Sequence, residues 1–279
     1  MPLRPASTPA AVTAPTSLAL LNGKTPEARD LLEIALAGVG CSSSMQVRDR
    51  AVRGIDLHLA HLRHASDELF GQHVDDEEIR QHLRTALRGA AADVHATVAI
   101  SSRVAGSITP QQSDLDVLIR VGDPLAPQTG PLSLAPIHHL RHLTGHVAAG
   151  EVSNTLFRRR ARERGFDDAV FQDDVGRVSE TTTGNLAFWD GAAVTWPQAD
   201  AHPGVTMQIL NRQLPALGVE QRTKPVHRNQ VSPRLSGAVV SSSTPGIPIS
   251  RIGARHLNDG GDFARLLHDA YEREPYDRI

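Results

Sequence analysis

Four groups of residues in this chain could carry chemistry by their type and spacing. His58, His61 and His64 stand three apart, and His138, His139, His142 and His146 cluster further on. Histidines at helical spacing can ligate a metal. No cysteine or carboxylate completes a set here, and imidazole is the only ligand type on offer, so they read as surface or pocket histidines with no metal. Cys41, in GVGCSSSM, is the sole cysteine. A lone cysteine is usually a small buried apolar group, and a nucleophile would need a histidine close in space. Gly204-Val205-Thr206 opens a helical pattern, where free N–H groups and the helix dipole favour an anion. Ser241-Ser242-Ser243-Thr244 adds N–H and hydroxyl donors, and the two segments together predict a phosphate cup.

Two other signals are weaker. Gly23-Lys24-Thr25 echoes the end of a P-loop, but Leu18 stands where that pattern needs its first glycine. The run RRRARER (158–164) sits in a chain of net charge −2. It reads as a solvated helix face and not as a nucleic-acid surface.

The elements that must position these groups alternate between strand and helix. SLALLNG (17–23) predicts a strand. TPEARDLLEIALAG predicts a helix with Thr25 as N-cap and Pro26 at its first position. CSSSMQV reads as a strand, and residues 55–71 as an amphipathic helix with Ile55, Leu59, Leu62, Ala65 and Leu69 on one face. In the next helix, Asp75 and Glu78 have capping-box spacing. HATVAIS (95–101) and DLDVLIRV (114–121) carry the β-branched runs of strands. GDPLAPQTGPL follows as a linker. A helix then ends at Gly165, and hairpins form around DDVG and around Asp190–Gly191. A helix after Gly204, a strand–turn–strand over AVVSSSTPGIPISRI and the helix DFARLLHDAYE complete the order.

The chain has 279 residues, 40% of them apolar and 22% charged, which fits a globular α/β protein large enough for a sizeable core. The predicted organisation is a tail at 1–16 that reads as disordered, a small α/β domain over 17–121, a linker at 122–133 and a larger domain over 134–279. The single cysteine points to a reducing, cytoplasmic setting. No apolar run reaches the length of a membrane span, and the charge balance does not favour nucleic acid. Lysine is confined to Lys24 and Lys224.

The second half, RRRARERGFDDAVFQDDVGRVSETTTGNLAFWDG with PGVTMQIL and VVSSSTPGIPI, resembles the class IV aminotransferases. These are the fold-type IV pyridoxal-phosphate enzymes, among them branched-chain and D-amino-acid aminotransferases and aminodeoxychorismate lyase. LALLNG, SMQV and RGIDLHLAHLRHASDELFG follow the family's opening order. The resemblance implies a small amino-terminal α/β domain, a larger domain with a barrel-like sheet, and a homodimer with its active site in the cleft between domains. It also implies that Glu180, in Val178-Ser179-Glu180, pairs with the cofactor's pyridine nitrogen. Gly204, Val205, Thr206, Ser243 and Thr244 would be the phosphate cup.

The family holds its cofactor as a Schiff base on a lysine. Alignment from both sides places that position at Val147 or His146, in Arg141-His142-Leu143-Thr144-Gly145-His146-Val147. The family's phosphate-gripping arginine falls on His61, in His58-Leu59-Ala60-His61-Leu62. Looser alignment puts a common tyrosine at Val39 and a substrate-side arginine at His95. These departures predict a cleft that has lost pyridoxal phosphate and works without a cofactor. The expected activity is cyclisation, elimination, isomerisation or pericyclic closure of a small-molecule intermediate in specialised metabolism. Glu180, His61 and His146 would be catalytic, with Val39, Cys41, His95, Val147 and Thr182 lining the cleft. The alternatives are a true pyridoxal-phosphate aminotransferase or lyase, and a non-catalytic binding or scaffold relative.

Overall fold

The computed structural model describes residues 17–102, 115–140 and 152–279. The expected disordered tail, His146 and Val147 lie outside them. The first unit runs β1 (Leu18–Leu21), α1 (Ala28–Ala37), β2 (Gly40–Arg48), β3 (Ala51–Arg53), α2 (Ile55–Phe70), α3 (Asp76–Leu87), β4 (Asp93–Ser102) and β5 (Leu115–Gly122). The second unit runs β6 (Leu132–His138), α4 (Val152–Glu163), β7 (Asp168–Gln172), β8 (Val178–Thr181), β9 (Asn185–Trp189), β10 (Ala193–Pro197), α5 (Val205–Gln213), β11 (Glu220–Lys224), β12 (Ser236–Val240), β13 (Ile247–Ile252), β14 (Arg255–His256), α6 (Gly261–Glu272) and β15 (Tyr276–Arg278).

The first sheet has strand order β1-β5-β4-β2-β3-β15, so the chain's last strand returns to it. Side chains alternate between faces along a strand. In β2 the odd positions Cys41, Met45 and Val47 face α2, packing with Leu59, Leu62 and Ala65 in the first core. Ser42, Ser44 and Gln46 are therefore presented on the opposite face, where they are half-buried. α1 starts later than its sequence predicts. Glu27, not Thr25, is the N-cap, and its N–H donates to Asp30 Oδ2 at 3.0 Å. Asp75 caps α3 by accepting the Glu77 N–H at 2.8 Å, while Glu78 lies 3.6 Å from His82.

In the second sheet, β9, β12, β13, β6, β7 and β8 pair in sequence, and the ring is closed by the β8–β9 pair Glu180↔Asn185. This six-stranded barrel is filled by Leu134, Val170, Val178, Leu186, Phe188, Val239 and Ile249. On the outer face, Trp196, Leu210, Val240, Phe263 and Leu267 pack beneath α5 and α6. A smaller cluster of Ala135, Ala161, Ala169 and Phe171 lies under α4. Among the described residues, no helix is long and apolar enough to cross a membrane.

Candidate active site

The β8–β9 hairpin carries the site's carboxylate. Its turn is held by Thr181 Oγ1, which accepts the N–H groups of Thr183 at 3.2 Å and Gly184 at 3.0 Å. Asp168 anchors the same turn by accepting the hydroxyls of Thr182 and Thr183. Gly184 is required because a Cβ there would stand 2.2 Å from the Val240 carbonyl oxygen. This geometry leaves Glu180 buried, 5% exposed, with its side chain on the wall of a cleft between the two sheets.

The cleft encloses about 270 Å³, just below the range usual for ligand pockets, about 300–1,000 Å³. On the barrel side it is lined by Glu180 to Asn185, His202, Gly204 to Thr206, and Ser241 with Ser242. Gly204 is the N-cap of α5 and offers no side chain to cap it, and Gly204, Val205 and Thr206 at this helix start line the cleft. Asn185 fixes that helix start. Its Oδ1 accepts the Gly204 N–H at 3.0 Å and its Nδ2 donates to the His202 carbonyl at 2.6 Å. Ser241 turns back on itself, with its Oγ accepting the Thr244 N–H at 3.3 Å.

From the first sheet come Ser42, Ser44, Gln46 and Arg53, and from α2 come His58 and His61. The His61 ring meets His202 edge-on, with centroids 4.6 Å apart, which joins the two walls. His58 is buried, and Ser43 Oγ lies 2.7 Å from its Nδ1. Burial, reinforced by nearby His61, pushes the His58 pKa down to about 3, so the ring is neutral in the folded protein at ordinary pH.

Of the residues picked from sequence, Glu180, His61, Thr182, Gly204, Val205 and Thr206 meet at this cleft. Five others do not line it. Val39 is 53% exposed in the turn before β2. Cys41 is fully buried on the α2 side of the sheet, 3.5 Å from Ser66 Oγ, because its odd position in β2 faces the helix. Ser243 touches Ser241 at 3.2 Å, behind the lining. The Thr244 hydroxyl is buried and accepts the Gln128 N–H at 2.8 Å, which ties down the segment between the sheets. Of this segment, Ser241 and Ser242 are the residues that line the cleft. His95 lies opposite Gln46, on the same face but outside the lining, and burial followed by the Arg120 charge lowers its pKa. Ser42, Ser44, Arg53, His202 and Tyr271 line the cleft without having been singled out. They carry no local motif, and only the cross-strand phase of β2 and β3 marks the first three.

A pyridoxal-phosphate-type group fits the donors present at two of its three ends. The α5 start with Ser241 and Ser242 suits a phosphate, and the buried Glu180 carboxylate suits a protonated ring nitrogen. The third end meets no lysine. Lys24 bridges back to Leu21 beyond β1, and Lys224 is exposed at the end of β11. Among the described residues, no three His, Cys, Asp or Glu side chains are grouped to hold a metal ion.

A barrel packed against an antiparallel sheet, with a helix start and a buried carboxylate at their junction, defines a fold-type IV architecture. The chain belongs to the amino-transferase class IV family, whose model matches residues 40–252. No curated protein sequence matches it. Among solved structures, a branched-chain aminotransferase of Thermoproteus uzoniensis with norvaline is similar at TM-score 0.79 and 16% identity, covering 93% of this chain and 94% of that one. A putative 4-amino-4-deoxychorismate lyase of Legionella pneumophila gives TM-score 0.77 and 16% identity, with 86% and 93% covered. An aminotransferase of Brucella abortus gives 0.73 and 19%, with 86% and 91% covered. That last structure is bound to the cofactor PLP, pyridoxal phosphate. It overturns the expectation of a cleft without cofactor. The physical reason is that the cleft still presents the α5 start, the Ser241–Ser242 turn and the buried Glu180 carboxylate, none of which depends on a lysine. These neighbours are aminotransferases and a lyase, which favours the alternative reading over a cofactor-free cyclase or isomerase.

Proposed function

We propose that this protein is a pyridoxal-phosphate enzyme of the aminotransferase or aminodeoxychorismate-lyase type, and that it holds its cofactor without a covalent bond to the chain. The observation that carries this reading is the pairing of donor cup and buried carboxylate across one small cleft. The backbone N–H groups of Val205 and Thr206, with the hydroxyls of Ser241 and Ser242, take the phosphate. Glu180 holds the proton on the ring nitrogen. Once bound, the cofactor supplies the electron sink that makes a substrate's α-proton labile. His61 and His202, in a T-shaped contact with centroids 4.6 Å apart, line the same cleft and supply the proton-carrying imidazoles of the site. Resemblance to the family supports a small-molecule substrate and a homodimer.

The test is to titrate the protein with pyridoxal phosphate by calorimetry, desalt it rapidly, record its absorbance, treat it with borohydride and then denature it. Binding is expected, with a retained chromophore that denaturant releases even after borohydride. Absence of binding would sink the cofactor assignment. A chromophore that borohydride fixes to the chain would sink the non-covalent part.

A further inference from the structure

One buried residue joins the two walls of the cleft from outside it. Glu274, between α6 and β15, is 1% exposed and does not line the cleft. Its Oε1 accepts Arg212 Nη1 at 2.8 Å and its Oε2 accepts Gln213 Nε2 at 2.5 Å, both from the end of α5. Its backbone carbonyl accepts Arg53 Nε at 2.8 Å, from the end of β3. Arg212 reaches further, donating Nη2 to Asp56 Oδ2 at 2.8 Å in the first turn of α2. A carboxylate withdrawn from water is costly unless it is paired, so this segment is held where both side-chain donors reach it.

The neighbouring contacts run the same way. β15 pairs with β3 through Tyr276↔Arg53, Asp277↔Val52 and Arg278↔Ala51. Arg53 also donates to the Tyr276 hydroxyl at 2.9 Å and to the Glu272 carbonyl at 3.2 Å, with its guanidinium 4.1 Å from the Tyr276 ring centroid. A Cβ on Gly54, the N-cap of α2, would stand 2.9 Å from Ile209 Cδ1, so α2 begins against the middle of α5. α5 has 9 residues, which makes it about 12 Å long. Its start lines the cleft with Gly204, Val205 and Thr206, and α2 brings His61 to the same cleft. A hydrogen-bonded helix moves as a rod, so a tilt at its Arg212 end is carried to its Gly204 end.

We propose that Glu274 is a positioning residue for the cleft: it locks the end of α5 to β3 and α2, and so holds the α5 start and the His61 wall at one spacing. The consequence for pyridoxal phosphate rests on the cofactor reading above, whereas the lock itself does not.

The test compares the parent, Glu274→Gln and Leu83→Ala by hydrogen exchange with mass spectrometry and by calorimetric titration with pyridoxal phosphate. Glutamine keeps the shape of Glu274 and removes its charge. Leu83 is fully buried in the first core, so its truncation reports what destabilisation alone does. In Glu274→Gln, residues 55–62 and 204–210 should exchange about tenfold faster, and pyridoxal-phosphate affinity should fall about tenfold. Leu83→Ala should leave that affinity unchanged. Thermal melting reports whether each variant is folded, and Arg212→Gln opens the same lock from the α5 side if Glu274→Gln does not fold. Unchanged exchange in both segments would overturn the lock. Faster exchange at parental affinity, or an equal loss of affinity in Leu83→Ala, would overturn the positioning role and leave Glu274 a brace of the fold. A parent that binds no pyridoxal phosphate would overturn the cofactor reading, and exchange in the two segments would still decide the lock.

Discussion

Asn185 Oδ1 accepts the Gly204 N–H at 3.0 Å, and this bond ties the hairpin that bears Glu180 to the α5 start at the cleft. A Cβ on Gly204 would stand 2.7 Å from the same oxygen, so the two segments are in closest approach. Asn185 is 7% exposed. Asn185→Ala leaves a half-buried N–H and a half-buried carbonyl without this partner, and should cost about 1 kcal/mol in urea unfolding. It should also weaken pyridoxal-phosphate binding, whereas an equally destabilising change in the first core should not.

Gly184→Ala should be damaging by a different route. The added methyl would stand 2.2 Å from the Val240 carbonyl oxygen, which is backbone of β12 and has no rotamer to escape into. A loss of about 1–3 kcal/mol is expected. A melting temperature equal to that of the parent would show that the hairpin does not sit against β12.

Glu180→Gln preserves shape and removes charge. If Glu180 holds the proton of the ring nitrogen, the variant loses a hydrogen bond to a charged group, about 1.5–3 kcal/mol, or roughly ten- to a hundredfold in pyridoxal-phosphate affinity. Unchanged affinity in the calorimeter would assign Glu180 to the structure of the hairpin alone.

Acid should destabilise the fold through His58. Burial lowers its folded pKa from 6.5 to about 3. The unfolded chain therefore binds this proton below about pH 6.5 and the folded protein does not. The stability this neutral histidine contributes is complete above pH 6.5 and falls as the pH drops towards 3. The loss amounts to a few kcal/mol, because each pH step across that window costs roughly 1.4 kcal/mol. His58→Gln, which can keep a hydrogen bond to Ser43, should flatten that slope in unfolding curves taken between about pH 4 and 7.

Cys41 offers a direct check on the phase of β2. It is 0% exposed, and burial raises its pKa above the usual thiol value. The thiol should stay unmodified by Ellman's reagent in the folded protein and react at once in denaturant. Fast reaction in the native state would mean that Cys41, and not Ser42, faces the cleft.

Much of the architecture is visible as local pattern. The hairpins around Asp173–Gly176 and Asp190–Gly191, the helix over 55–70 and the β-branched strands β4 and β5 appear where their periodicity and turn residues place them. The strands that escape are of another kind. EQRTK of β11 is an exposed edge without alternation, and LSLAPIH of β6 contains Pro136 and adjoins a proline-rich stretch. Both are strands because a neighbour pairs with them: β10 with β11, and β13 and β7 with β6.

For the site, the sequence by itself determined the family, the helix start at Gly204 and the carboxylate at the hairpin end, because each is written in contiguous residues. It also determined that only two lysines exist. Only the tertiary structure decided which residues share the cleft. Ser42, Arg53, His61, Glu180, His202 and Ser241 come from segments as far as 199 positions apart, counting from 42 to 241. They meet because the Glu180↔Asn185 pair closes the barrel and sets its mouth against the first sheet. The same holds for Cys41. Alternation in β2 separates odd from even positions, but it is the packing of α2 on one face that makes the odd side core and the even side cleft.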